Sequence, residues 1–426
     1  MPTSSPDWLS QGAPHVWRPY TQMKTAKPPL PVARAEGCKL HLTDGRVLID
    51  GIASWWTAAH GYGHPHIIDS MKRQLEVLPH VMFGGLAHEQ AYRLAARLAA
   101  LLPGDLNHAF FAESGSVAVE IAMKMAVQYQ LNRGERGRAK FVSFRGGYHG
   151  DTLATMMVCD PDEGMHTMFA GVLPPQHVVD LPRDDEGEAR LDAYLQANAH
   201  ECAAILVEPL VQGAGGMLMH GPETLQRLRT LADKHGLLLI FDEIFTGFGR
   251  TGTLFAMQQA GIEPDIVTLS KALTGGVAPL SCAIASTKVF DAFWSDDPLH
   301  ALMHGPTYMA HALGCAAANA SLDLFEREPW RARVAAIAEK LRMGLEPCRN
   351  LPGVVDVRVL GAIGVVELEN APDAQSLIAR FAARGAWIKP FGRVVYLTPA
   401  LNIAAEDLEF LTQAIHDELS APAQPR

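Results

Sequence analysis

Residues Asp265–Gly276 read DIVTLSKALTGG. Ile266, Val267 and Leu269 make a short apolar run of strand character. Small residues and two glycines end it, and Lys271 stands where strand gives way to loop. Most lysines lie on solvated faces with the ammonium in water, and a lysine that snorkels from a strand end is the plain reading. A strand end has another use. In doubly wound sheets, ligands bind beyond the carboxyl ends of the strands.

Working outward, AKFVSF (Ala139–Phe144), AAILVE (Ala203–Glu208) and LLLIFDE (Leu237–Glu243) are similar short apolar runs. The helix-like PETLQRLRTLADKHG lies between the last two. Strands alternating with helices predict a largely parallel sheet covered on both faces, an α/β fold. The C-terminal third changes character. WRARVAAIAEKLRMGLEP predicts a helix, VVDVRVLGAIGVVELE a hairpin, and DAQSLIARFAARG and AEDLEFLTQAIHDEL two more helices. That is a smaller α+β domain. CKLHLTDGRVLID near the start holds short strands that are expected to pack with it. The expected division is 1–62 with the small domain, 63–320 as the large domain and 321–426 as the small one. A helix near Pro306–Arg327 would join them.

The chain has 426 residues, 48 % of them hydrophobic and 19 % charged, which is ordinary globular composition with room for more than one core. A formal net charge of -10 argues against nucleic acid or an anionic membrane as partner. Six scattered cysteines contain no CxxC pair, so neither a zinc site nor a disulfide framework is expected. The N-terminal MPTSSPDWLSQG has no basic start and no apolar core, and no apolar run is long enough to cross a bilayer. The expectation is a cytoplasmic protein.

Other residues bear on Lys271. Asp242 also falls at a strand end, so a carboxylate and a lysine could face one ligand; a structural salt bridge is the alternative. Ser114-Gly115-Ser116 precedes a helix whose Val117, Ile121 and Met125, with Ala118, Ala122 and Ala126, make a broad apolar face. Free N–H groups at such an entry suit a phosphate, and a serine N-cap explains it as well. Gly146-Gly147 permits a tight turn that projects Tyr148 and His149. An aromatic there could stack on a flat ring, or be a buried tyrosine. Together these ask for a ligand with a phosphate, a ring bearing a basic nitrogen and an aldehyde. Pyridoxal 5′-phosphate (PLP) has all three. Lys271 would form its Schiff base, and Asp242 would keep the pyridine nitrogen protonated.

DEIFTGFGRTG, SKALTGG and EPLVQGAGG resemble the class III aminotransferases, which have the PLP-dependent transferase fold type I. SWWTAAHGYGHP, HVMFGGLAHE, SGSVAVEIAMKMA, FRGGYHGDT, MHGPTYM and LGAIGVVE are similar to a narrower branch. That branch aminates 8-amino-7-oxononanoate to 7,8-diaminononanoate in biotin biosynthesis, with S-adenosylmethionine as donor. The resemblance implies a mostly parallel seven-stranded sheet and a homodimer with shared active sites. It implies that Lys271 carries the cofactor and moves the proton, and that Asp242 pairs with the ring nitrogen. Gly115 and Ser116 would bind phosphate, with Tyr148 by the ring and touching substrate. Thr307, with Pro306, would reach the neighbouring subunit's phosphate. Tyr20, Trp55 and Gly305 would line the substrate pocket, with Glu208 and Arg250 as supporting partners.

Three departures concern substrate fit. WIKPF puts Lys389 where the family has an arginine for the substrate carboxylate; lysine keeps the charge but lacks the two-pronged fork. GPTYM is followed by Ala310 and then His311-Ala312 in place of Asn-Pro. Ala400-Leu401 follows VYLTP in place of an aromatic Pro-Pro segment. An ω-amine transaminase and a lysine-donor form of the same step are the rival expectations. A nicotinamide oxidoreductase would need a strand–turn–helix GxGxxG unit near the start of a sheet, which the chain lacks there.

Overall fold

The computed structural model describes residues 6–162, 166–169 and 171–421. The chain forms two units, Met1–His64 with Ala332–Arg426, and Pro65–Arg331.

In the larger unit, short runs of Ile, Val, Leu and Phe leave no polar face, so they become strands covered on both sides. Seven of them form one sheet in the order Leu106–Ala112, Ser281–Ser286, Ile266–Leu269, Leu238–Asp242, Cys202–Val207, Lys140–Phe144, His177–Val179. Only Ser281–Ser286 runs antiparallel to its neighbours. The predicted seven-stranded, mostly parallel sheet is therefore present. Helix Gly115–Asn132 covers one face. Ile121, Ala122, Met125, Ala126 and Tyr129 are buried along it and join the core with Ile240 and Ile266. Burying an Ile or Met side chain contributes roughly 1.5–3 kcal/mol.

Helix Pro222–His235 forms where the sequence predicts it. The helix expected from Pro306 begins only at Ala312 and ends at Arg327. The Met309 N–H bonds the Pro306 carbonyl at 3.0 Å, closing a turn, and Ala310 has φ +52°, so the chain cannot enter a right-handed helix sooner. The division between units falls after Arg331 rather than at 320, because Ala312–Arg327 packs on helices Pro65–Val77 and Glu89–Leu101 of the larger unit.

The smaller unit holds two sheets. Val32–Glu36, Lys39–Leu42 and Val47–Asp50 run antiparallel, and Ala386–Trp387 joins Val47–Asp50 in parallel. Val354–Leu360 and Ile363–Leu368 form the expected hairpin, extended by Val394–Leu397. Helices Ala374–Arg384 and Ala405–Ser420 match their predicted stretches.

All six cysteines are unpaired and buried. Among the described residues, no helix is long and apolar enough to cross a membrane, and no cluster of His, Cys, Asp or Glu could hold a metal ion.

Candidate active site

The parallel strands deliver their following residues to one edge of the sheet. Lys140–Phe144 leads into Tyr148 and His149, Cys202–Val207 into Glu208, and Ile266–Leu269 into Lys271, while Asp242 ends its own strand. Their chemistry is interlocked. Asp242 is buried, with Oδ2 2.9 Å from His149 Nδ1. Its Oδ1 accepts the Ile244 N–H at 3.2 Å and the Thr268 hydroxyl at 3.3 Å. Two carboxylate oxygens have about four acceptor positions, so this set leaves capacity for one further donor.

Glu208 is also buried. Its oxygens accept the Tyr148 N–H at 3.0 Å and the Gly213 N–H at 2.9 Å. Burial pushes its carboxyl up to about 7, and the Asp242 charge adds to that, while His149 and the two N–H bonds pull the other way. The Tyr148 hydroxyl donates to Asp151 Oδ1 at 2.9 Å. Thus both ends of Tyr148 are fixed by carboxylates.

Lys271 has φ +40° and opens a 3-10 turn, Lys271–Thr274. The left-handed backbone turns its side chain off the strand line. Desolvation lowers its pKa, opposed by the charges of Asp242, Glu208 and Asp151. A lysine so placed is closer to the neutral, nucleophilic amine than one in water.

Ser114 is the N-cap of helix Gly115–Asn132, its Oγ accepting the Val117 N–H at 3.4 Å. The capping reading therefore holds for Ser114. The first intrahelical bond runs from Ala118 N–H to the Ser114 carbonyl at 3.0 Å, so the N–H groups of Gly115 and Ser116 lie ahead of it, at the positive end of the dipole. Ser116 Oγ accepts the Asp151 N–H at 3.1 Å. Gly150 makes this approach possible: its φ is +133°, and a Cβ there would lie 2.3 Å from Ser116 Oγ.

Tyr20, Trp55 and Lys389 belong to the smaller unit, where they form a group of their own. Lys389 Nζ lies 4.0 Å from the centre of the Trp55 ring, and the Tyr20 ring meets Trp55 edge-on at 6.2 Å. Desolvation lowers the Lys389 pKa. Gly305, Pro306 and Thr307 belong to the larger unit and lead into the turn closed by the Met309 N–H on the Pro306 carbonyl, with Thr307 exposed. Arg250 is buried, and desolvation pushes its pKa down to about 10. His149 is absent from the sequence-derived site, although its place beside Tyr148 in FRGGYHGDT was the available signal. Asp151 gave no signal at all.

The donor set suits PLP: a helix N-terminus for a phosphate, a buried carboxylate with acceptor capacity for a protonated ring nitrogen, and a lysine of lowered pKa for an aldehyde. Residues 20–419 match the family described as Aminotransferase class-III. The chain belongs to this family. Among relatives, the adenosylmethionine-8-amino-7-oxononanoate aminotransferase of Mycobacterium leprae is 43 % identical over 412 residues, covering 95 % of this chain and 94 % of that one. Among solved structures, the enzyme of the same name from Methanocaldococcus jannaschii has a TM-score of 0.90 at 29 % identity, covering 96 % of this chain and 98 % of its own. An amine transaminase from an uncultivated Pseudomonas species, solved with PLP bound, has a TM-score of 0.87 at 29 % identity over 95 % of this chain and 98 % of its own. This class-III aminotransferase is thus a PLP-dependent enzyme of fold type I.

Proposed function

We propose that the enzyme transfers an amino group to the 7-keto carbon of 8-amino-7-oxononanoate, with S-adenosylmethionine as donor, in biotin biosynthesis. The observation that carries this reading is the 43 % identity, over 95 % of the chain, to a relative named for those two substrates. Tyr20, Trp55 and Lys389 support it. They combine aromatic faces, which suit an adenine ring and an aliphatic chain in turn, with one cation for a carboxylate.

In this reading Lys271 is the residue that would hold the cofactor aldehyde, and its amine would carry the proton to and from the substrate carbon. PLP, when bound, supplies an electron-accepting ring. Asp242 keeps the proton on the ring nitrogen, and His149 at 2.9 Å fixes the orientation of its carboxylate. Gly115 and Ser116 hold the phosphate at the helix N-terminus. Tyr148, held by Glu208 and Asp151, would lie against the ring and touch substrate. Thr307 and Pro306 serve the phosphate of the partner subunit's site, so the working unit is a homodimer. Trp55, Tyr20 and Gly305 line the substrate pocket, and Lys389 takes the carboxylate. Six buried thiols fit a reducing, cytoplasmic setting.

An amine transaminase is the second reading, favoured by the structural likeness to the Pseudomonas enzyme and by lysine at position 389. The test offers 8-amino-7-oxononanoate with S-adenosylmethionine, lysine or aryl amines as separate donors. S-adenosylmethionine should give the fastest turnover. Faster turnover with lysine or an aryl amine would overturn the donor assignment.

A further inference from the structure

Ala53, Ser54, Trp55 and Trp56 all have positive φ, at 45°, 51°, 57° and 74°. Four consecutive L-residues in one left-handed turn are strained, and such a turn persists only where its surroundings over-determine it. Asp50 supplies the hold. It is buried at the end of strand Val47–Asp50. Its Oδ1 accepts the Ile52 N–H at 2.8 Å and its Oδ2 the Ser54 N–H at 2.9 Å. The Tyr62 hydroxyl donates to the same Oδ2. At the far end of the turn the buried Trp56 ring meets Tyr396 at 6.3 Å. The turn therefore seats Trp56 inward and leaves Trp55 outward, 38 % exposed.

The same point is fastened to the segment that bears Lys389. Asp50 pairs with Trp387 in the parallel ladder, and the Gly51 N–H donates to the Trp387 carbonyl at 3.0 Å. Gly51 also accepts the Thr398 N–H at 2.8 Å, and a Cβ there would lie 2.7 Å from Leu397 Cδ2. Strand end, turn and Lys389 segment are thus joined within two residues of Asp50.

We propose that Asp50 is a positioning residue for the substrate pocket: its carboxylate holds the left-handed turn and so fixes Trp55 beneath the Lys389 ammonium. The inference rests on the reading that Trp55 and Lys389 meet substrate. It also explains how lysine serves where the family has arginine. A flexible ammonium is a poor guide for a carboxylate, whereas one seated on an indole face has a set position before substrate arrives.

The test uses the holoenzyme. Asp50→Asn leaves one side-chain oxygen, which cannot accept from Ile52 and Ser54 as the two carboxylate oxygens do. The Trp55 contribution to near-UV circular dichroism is the difference between each protein and its Trp55→Phe counterpart. That difference should shrink at least threefold in the Asp50→Asn background. KM for the keto acid should rise about tenfold while kcat falls less than threefold. Ser54→Gly added to Asp50→Asn should restore both, because glycine adopts positive φ without help. Tyr62→Phe should shift both readouts in the same direction, about twofold, and serves if Asp50→Asn does not accumulate. An unchanged Trp55 signal would overturn the proposal. Equal losses for amines lacking a carboxylate, with no rescue by Ser54→Gly, would overturn it as well, since Asp50 would then be only structural. A lost Trp55 signal with unchanged KM would refute the substrate reading of Trp55 and Lys389, not the hold of Asp50 on the turn.

Discussion

Glu208→Gln tests whether a buried carboxyl clamps Tyr148. Glu208 is 5 % exposed, and burial takes its carboxyl from 4.5 to about 7. Because the folded state keeps this proton more tightly than the unfolded chain, stability is greatest at low pH and falls as pH rises from 4.5 toward 7. Integrated between pH 5 and pH 8, the loss is roughly 2.5 kcal/mol. Glutamine carries no such titration. Its amide NH2 would also face the Tyr148 or the Gly213 N–H, which costs about 1–3 kcal/mol at every pH. The wild type should therefore lose roughly 2.5 kcal/mol more than the variant on going from pH 5 to pH 8, whatever their offset at pH 5. Glu243, also pushed up to about 7 by burial, contributes the same slope to both proteins and cancels in the difference. Urea unfolding of the two holoenzymes at equal protein and cofactor concentrations measures this. Parallel pH profiles would refute the reasoning, because Glu208 would then be ionised throughout in the folded enzyme, as it is in the unfolded chain.

Borohydride should bleach the holoenzyme and fix the cofactor on Lys271, and Lys271→Ala should retain PLP only without covalent attachment; fixation on another lysine would end that assignment. Lys389→Ala should weaken the keto acid by about 1.5–3 kcal/mol, the range for hydrogen bonds to charged groups, and leave amines without a carboxylate nearly unaffected. Equal losses for both would make Lys389 structural. Lys271→Ala and Thr307→Glu subunits, each inactive alone, should regain activity when exchanged into mixed dimers if Thr307 acts across the interface. Proven mixed dimers without activity would count against a shared site.

Asp242 and Lys271 were legible because short apolar runs announce strands, and the ends of parallel strands share an edge. The helix beginning at Gly115 was legible from its apolar face, though spacing alone could not separate a cap from an anion site. Ser114 takes the first role, and Gly115 and Ser116 stand open for the second. The His149–Asp242 pair joins residues ninety-three apart in the chain, and no local pattern records such a partnership. The left-handed turn at Ala53–Trp56 was invisible for a different reason. Positive φ is normally signalled by glycine or asparagine, and here ordinary residues adopt it because Asp50 and Tyr396 hold both ends. The helix expected from Pro306 starts late for a like reason, the positive φ of Ala310.

The six buried cysteines make the enzyme its own unfolding meter. Burial pushes the Cys202 and Cys348 thiols up to about 11 and those of Cys38, Cys159 and Cys315 up to about 12, and raises Cys282 also. Alkylating reagents attack the thiolate, so each sulfur is silenced twice while the fold is closed, by lack of access and by lack of charge. Labelling must then wait for an opening event. Cys38 and Cys348 report on the smaller unit, and Cys159, Cys202, Cys282 and Cys315 on the larger. The order in which peptides acquire the label gives the order in which the two units let water in, with no introduced probe.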